Sequence, residues 1–189
     1  MKEAFVTPKP LFGRPLLVNA TGSPEGIAFA AKHSDIVFIT SPTGNQMSHA
    51  VKGLPAHTAK IRKAAKEAGR LVRTIINPMV VCRPTEKEAI EYRDAILDAA
   101  DVGAVEGFAT ISRGGDAVAW RNMVREHRAL GGNLHVVGSP EQIVDHFISL
   151  QKAGCDGVQL TFYDFMPDLE YFGEAVLPLM HQAGLRLSG

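Results

Sequence analysis

The chain has 189 residues, 46% of them hydrophobic and 21% charged, which is enough apolar sequence for one domain with a core and excludes a disordered chain. Twenty basic residues balance twenty acidic ones with no run of like charge, so nothing points to a nucleic-acid or anionic-membrane partner. Cys82 and Cys155 each sit in or beside an apolar run and read as buried reduced thiols of a cytoplasmic protein; there is no metal-ligand spacing, no N-terminal h-region, and no apolar stretch near the roughly 20 residues of a spanning helix.

Residues 2–14 read as an extended lead-in, because Pro8, Pro10 and Pro15 oppose a helix. The pattern then predicts a strand from Pro15 to Ala20, a helix from Pro24 to His33 with Ile27, Phe29, Ala30 and Ala31 inward, and a strand from Ile36 to Thr40. Turn chemistry makes Ser41 to Gln46 a polar loop, continuing to Pro55, and its place after a strand's carboxyl end makes it a candidate active-site loop. A basic amphipathic helix follows from Ala56 to Ala68, with Lys60, Arg62, Lys63 and Lys66 on a solvated face and Gly69 as its stop.

The longest strand is expected from Val72 to Arg83, an apolar run suited to a strand buried on both faces, with a bulge or bend at Asn77-Pro78. Thr85 and Glu88 form a capping-box pattern for a helix to Ala100. The glycine-punctuated region 101–133 reads as an irregular insertion and candidate mobile lid, with a helix between Asp116 and Leu130. The last unit is a strand from Leu134 to Val137, a helix from Pro140 to Ala153 with Ile143, Phe147 and Ile148 inward and Gly154 at its C-cap, and a strand from Val158 to Phe162. A final helix from Met166 to Ala183 buries Leu169, Phe172, Val176 and Leu179.

One tetrapeptide occurs twice. Gly22-Ser23-Pro24-Glu25 follows the run Leu16-Leu17-Val18, and Gly138-Ser139-Pro140-Glu141 follows Leu134 to Val137. Serine at the N-cap, proline at the first helical position and an acid in the first turn all favour a helix start. Just past a strand's carboxyl end, such a start is also where backbone N–H groups commonly hold a phosphate. An ordinary cap accounts for either copy as well, and for the second it is the preferred reading. His33, His127, His146 and His181 read as helix-surface residues, while His49 and His57 flank the polar loop; no catalytic triad, Walker loop or dinucleotide fingerprint can be assembled.

Strands alternating with helices predict one parallel α/β domain over residues 1–189. Four main strands, each followed by a helix, plus a short one at Leu134, amount to half of an eight-stranded barrel, which needs about 250 residues.

The stretch Asn19-Ala20-Thr21-Gly22-Ser23-Pro24-Glu25-Gly26, with Phe29-Ala30-Ala31 and Ser34-Asp35-Ile36-Val37-Phe38, resembles the middle of the bacterial luciferase-like flavin-dependent monooxygenases. Val137 to Gln142, Ala153 to Val158, Phe162 to Phe165 and Phe172 to Met180 look like that family's last barrel unit. The chain is most similar to the dimethyl sulfone, alkanesulfonate and pyrimidine ring-opening members. The resemblance implies the C-terminal half of a TIM (β/α)8 barrel that uses reduced FMN, delivered by a separate NAD(P)H-dependent flavin reductase, to insert one oxygen of O2 into a small organic, organosulfur-type substrate.

Residue by residue, the resemblance implies cofactor binding at Asn19, Ala20, Thr21, Gly22 and Ser23, with Ser23 on the FMN phosphate and Asn19 towards the flavin. Tyr163 aligns with an active-site tyrosine. The family's Arg-x-His pattern falls on Asn77-Pro78-Met79, which leaves Asn77 as a catalytic candidate, removes the cation a sulfonate would need and favours a neutral substrate such as a sulfone. Arg113 resembles an arginine of that family's mobile loop. An inner face of Val18, Val37, Ile39, Ile76, Val80 and Leu160 is expected to need a homo-oligomer or a complementary half-barrel chain. A non-catalytic flavin- or phosphate-binding module and a purely pairing subunit are the alternatives.

Overall fold

The computed structural model describes residues 11–112, 129–131 and 133–186. In chain order these form β1 (Val18–Ala20), α1 (Pro24–His33), β2 (Ile36–Ile39), α2 (Met47–Glu67), β3 (Arg73–Ile76), β4 (Pro78–Cys82), α3 (Glu86–Asp98), α4 (Val102–Ser112) and β5 (Leu134–Gly138). Then come α5 (Pro140–Lys152), β6 (Gly157–Val158), β7 (Thr161–Phe162), α6 (Phe165–Tyr171), a π-helical segment at Phe172–Val176 and α7 (Leu177–Gln182).

Every strand pair is parallel, in the orders β1-β2-β3-β6 and β5-β4-β7, so the α/β architecture expected from the alternation is the one adopted. β3 and β4 are one strand whose partners change at Asn77. The Ile76 carbonyl accepts from Gln159 N–H at 2.9 Å on one side, and the Asn77 carbonyl accepts from Leu134 N–H at 3.2 Å on the other. Thus β6 and β7 run along one edge of this central strand, and β2 and β5 follow one another along the opposite edge. Proline, which lacks an N–H, falls at that junction.

The two faces of the sheet differ. Val37, Ile39, Thr74, Ile76, Val80 and Val136 are fully buried, and their apolar members pack with Ile27 and Ala30 of α1, Leu54 and Ile61 of α2, and Ile143 and Phe147 of α5. Ile36, Phe38 and Ile75, one position out of phase and so on the other face, stay half-exposed. This corrects the expected inner face: Val37, Ile39, Ile76 and Val80 belong to the helix-packed core, Leu160 sits half-buried at its margin, and Val18 is the exposed one. A parallel strand is apolar on both faces, so its sequence does not reveal the frame, and a one-residue error reverses every side chain.

Other expectations shift for local reasons. Helix α2 begins at Met47, not Ala56, because its buried stripe of Ala50, Leu54, Thr58, Ile61 and Ala65 keeps helical spacing straight through the exposed Pro55. Burial of Ala50 and Leu54 offsets the one backbone bond the proline removes. Residues 102–112, expected to be irregular, are helical despite Gly103 and Gly107. The helix expected over 116–130 lies for the most part outside the described residues. Phe29 and Leu169 are exposed rather than inward and Ile148 is only half-buried, whereas Ile143, Phe147, Phe172 and Val176 are buried as expected. At α3 the Thr85 hydroxyl accepts from Glu88 N–H at 3.2 Å and donates to the Glu88 carboxylate at 2.7 Å, so only the first half of the expected capping box forms, the acid binding the Thr85 hydroxyl in place of its N–H.

Each clear strand–helix–strand unit carries the same lock at the amino end of its second strand. Asp35 N–H donates to the Leu17 carbonyl at 2.9 Å while its carboxylate accepts from Leu17 N–H at 2.9 Å. Asp156 repeats this on Thr74, with both backbone bonds at 2.8 Å. Arg14 and Arg70 complete the first lock and Arg62 the second. The Arg14 guanidinium, then the Leu17 N–H, hold the Asp35 carboxyl well below the usual carboxylate range. Its stabilising share is therefore present near neutral pH and is lost as pH falls below the ordinary carboxylate value. Asp156→Ala strands a donor on the fully buried Thr74 and is expected to cost about 1–3 kcal/mol in urea unfolding; an unchanged midpoint would show that Thr74 finds another partner.

Candidate functional site

The two copies of the repeated tetrapeptide both cap helices, but only one closes on itself. In α5 the Ser139 hydroxyl accepts from Gln142 N–H at 3.5 Å, the Gln142 side chain takes Ser139 N–H at 2.9 Å, and Glu141 takes the Ser139 hydroxyl proton at 2.8 Å. The capping box uses its own donors. In α1 the Ser23 hydroxyl likewise accepts from the third helical residue, Gly26 N–H, at 3.1 Å. Glycine has no side chain to reach back, so no third-position group can take the Ser23 N–H.

Gly26 also packs closely against the Thr21 side chain. A β-carbon there would meet Thr21 Cβ at 2.9 Å and Ser23 Oγ at 3.2 Å, so the Thr21 side chain is folded against the helix start. Around Gly22 the opposite holds: a β-carbon would meet nothing within 4 Å. Asn19 and Ala20 end β1, where the register sets Asn19 beside Val37 and Ala20 beside Phe38; Thr21 N–H then donates to the Phe38 carbonyl at 3.3 Å. Asn19, Ala20, Thr21, Gly22 and Ser23 therefore form one strand end and turn. It offers backbone donors, a serine hydroxyl proton and the positive end of a ten-residue helix, a donor set that suits a phosphate.

A second group lies on the sheet face away from the helices, midway along the central strand where β3 passes into β4. Asn77 donates to the Asn133 side-chain carbonyl. Two residues on, Met79 has His135 beside it on β5 and Thr161 beside it on β7. The Asn45 amide nitrogen lies 3.1 Å from His135 Nε2, and both residues are buried. The polar loop after β2 is thus bound to β5, with His135 N–H donating to the Asn45 carbonyl at 2.8 Å. Tyr163 follows β7 and is half-exposed there. The structure brings Asn77 close to this row but leaves Tyr163 at its rim.

An isolated histidine in the run Leu134-His135-Val136-Val137 reads as strand, and only the loop contact singles out His135. His49 and His57 lie within α2 rather than on a loop, and burial lowers the pKa of His57 with Lys60 adding to it. His146 is half-buried, not on a surface, and burial lowers it too. Arg113 and His127 lie outside the described residues. Arg83, past the end of β4, stacks on Tyr92 at 3.7 Å and pairs with the buried Asp168 at 2.9 Å. Both cysteines are free and buried, burial pushing Cys82 up to about 12 and Cys155 to about 11. Among the described residues no cluster of three His, Cys, Asp or Glu could hold a metal, and no helix is long and apolar enough to cross a membrane.

Comparison with known proteins gives consistent matches. The profile of the luciferase-like monooxygenase family matches residues 1–157. The FMNH(2)-dependent dimethylsulfone monooxygenase of Pseudomonas fluorescens is 31% identical over 184 residues, covering 93% of this chain and 48% of that protein. The pyrimidine monooxygenase of Allorhizobium ampelinum is 29% identical over 188 residues, covering 95% and 50%. The chain thus spans about half the length of the curated relatives it matches. Among solved structures, a long-chain alkane monooxygenase superposes with a TM-score of 0.75 at 24% identity, covering 93% of this chain and 43% of that one. A riboflavin lyase bearing modified FMN superposes at 0.79 and 22% identity, covering 93% and 44%.

Proposed function

This chain belongs to the luciferase-like monooxygenase family, and from that premise we propose that it forms the phosphate-holding half of a reduced-FMN-dependent monooxygenase acting on a small organic, organosulfur-type compound. In this reading its βα units are the C-terminal half of a (β/α)8 barrel. The other half comes from a second polypeptide segment or a second copy, and an NAD(P)H-dependent flavin reductase delivers the reduced cofactor. The FMNH(2) dependence of the dimethylsulfone monooxygenase relative supports the choice of cofactor.

The observation that carries the reading is the open cap of α1. Two helices start with the same four residues, yet the third helical position is glutamine where the cap closes on itself and glycine where it stays open. The donors left at Ser23 fit a phosphate, which Ser23, Gly22 and Thr21 would hold. Bound there, reduced FMN would supply the activation of oxygen. The chain's own residues bind and orient: the turn fixes the phosphate, Ala20, in register with Phe38, lies on the face open to the cofactor while Asn19, in register with the core residue Val37, lies on the helix side, and Asn77 and Tyr163 border the space for substrate.

Ser23→Ala removes one donor and is expected to weaken FMN binding by about 1 kcal/mol, roughly fivefold in Kd. Titration calorimetry with FMN checks this, and unchanged affinity would move the phosphate elsewhere. The non-catalytic alternative predicts the same binding, and coupled product formation in the closed assembly separates the two.

A further inference from the structure

We propose that Asp168 is a positioning residue: tied to Arg83 past the end of β4, it sets the turn after β7 and so aims the Tyr163 side chain. On the oxygenase reading above, on which this rests, Tyr163 borders the space for substrate. Asp168 repeats in a new place the lock made by Asp35 and Asp156. Its N–H donates to the Asp164 carbonyl at 3.1 Å while one carboxylate oxygen accepts from Asp164 N–H at 3.2 Å. An arginine again completes the lock, Arg83 donating to the other carboxylate oxygen at 2.9 Å. The first two locks sit at the amino ends of strands, the end of a barrel that serves stability. This third one joins the carboxyl ends of β4 and β7, where a barrel carries its chemistry.

The lock reaches Tyr163 through one peptide plane. The Asp164 N–H and the Tyr163 carbonyl belong to the same rigid amide unit, so a bond to that N–H fixes the soft dihedrals on either side of it, one of them at the Tyr163 α-carbon. Arg83 is itself held. Its guanidinium donates to the Cys82 carbonyl and lies 3.7 Å over the Tyr92 ring of α3, and its N–H extends the ladder to the Gly138 carbonyl at 3.3 Å. Packing holds the turn far less firmly. Tyr163, Phe165 and Met166 are each more than half exposed, Phe165 meets the buried Phe162 only edge-on with ring centres 5.8 Å apart, and the Asp164 side chain makes no cap bond to α6. Asp168 is the one buried carboxylate among the described residues. A buried ion pair gains little stability over well-packed apolar side chains, and what this pair adds is a single geometry for the turn.

The double variant Arg83→Met with Asp168→Leu keeps apolar bulk in place while cutting the tether. The chain has three tyrosines, Tyr92, Tyr163 and Tyr171, so fluorotyrosine labelling gives one fluorine resonance for each, and Tyr163→Phe assigns the line that matters. In the double variant the Tyr163 resonance should shift or split while the urea midpoint holds. In the closed assembly, with reduced FMN, oxygen and dimethyl sulfone, the double variant should lower kcat about tenfold, and the same changes in a Tyr163→Phe background should lower it no further. Asp168→Asn, which keeps the shape and one acceptor oxygen, serves if the double variant unfolds, and should move the resonance in the same sense by less. A Tyr163 resonance unchanged in these variants, full turnover in Tyr163→Phe, or an undiminished loss in the Tyr163→Phe background would overturn the inference. Absence of product from the unaltered assembly would sink the oxygenase reading instead, and the resonance alone would then decide whether Asp168 sets the turn.

Discussion

Gly26→Gln is expected to raise the Kd for FMN at least tenfold, about 1.4 kcal/mol or more. The substitution copies into α1 the residue that closes the cap of α5, where Gln142 takes Ser139 N–H at 2.9 Å. Two effects act together. The new side chain competes with the phosphate for the Ser23 N–H, and its β-carbon, 2.9 Å from Thr21 Cβ, forces the Thr21 side chain off the helix start. Helix α1 should not be weakened, since glycine is a poor helix former and glutamine a good one. The reciprocal change Gln142→Gly should leave FMN affinity unaltered while costing α5 part of its cap. Calorimetric titration of both variants, with circular dichroism melts as the control for folding, decides the matter. Full affinity in Gly26→Gln would mean that the phosphate does not use this turn.

That contrast explains how much of the site could be read from the sequence. The repeated Gly-Ser-Pro-Glu announced both helix starts, and the bounds of α1 came out as expected because serine, proline and acid act locally. The residue that separates a ligand-ready cap from a closed one is the next in the chain, Gly26 against Gln142, and its meaning appears only when the back-bond from Gln142 is seen. The polar row was harder to find. Asn77 drew attention through its proline neighbour, but Asn45 and His135 are 90 residues apart and meet only because the loop after β2 lies along β5. The strand frame was misread for a related reason: Ile36 and Val37 are both β-branched and apolar, and only helix packing on one side tells them apart. Pro55 misled in the other direction, since an isolated exposed proline inside a long buried stripe costs less than the stripe gains.

Given reduced FMN and oxygen, this chain by itself is expected to form little oxygenated product, and coupled turnover should appear once its sheet is closed by a complementary half or a second copy. Among the described residues β1 pairs only with β2, and Leu16 and Val18 beside that open edge are 71% and 54% exposed. β7 pairs only with β4, and Tyr163, Phe165 and Met166 beyond it are all more than half exposed. Both edges run in the same direction, so β1 of one copy can lie along β6 and β7 of another, and two sets of four strand positions make the eight of a closed barrel. Closure would cover Ile36, Phe38 and Ile75 and exclude water from the face that carries Asn77 and Thr161. Until then Asn77 and Thr161 stay partly open to solvent, and reduced FMN held beside them would be exposed to unproductive reaction with oxygen. Light scattering should therefore report an assembly larger than the monomer wherever coupled product from dimethyl sulfone or uracil is seen, and Val18→Lys, which places a charge on the β1 edge, should reduce assembly and product together. A clean monomer at micromolar concentration that nonetheless yields coupled product would show that the isolated units shelter the reaction without closure.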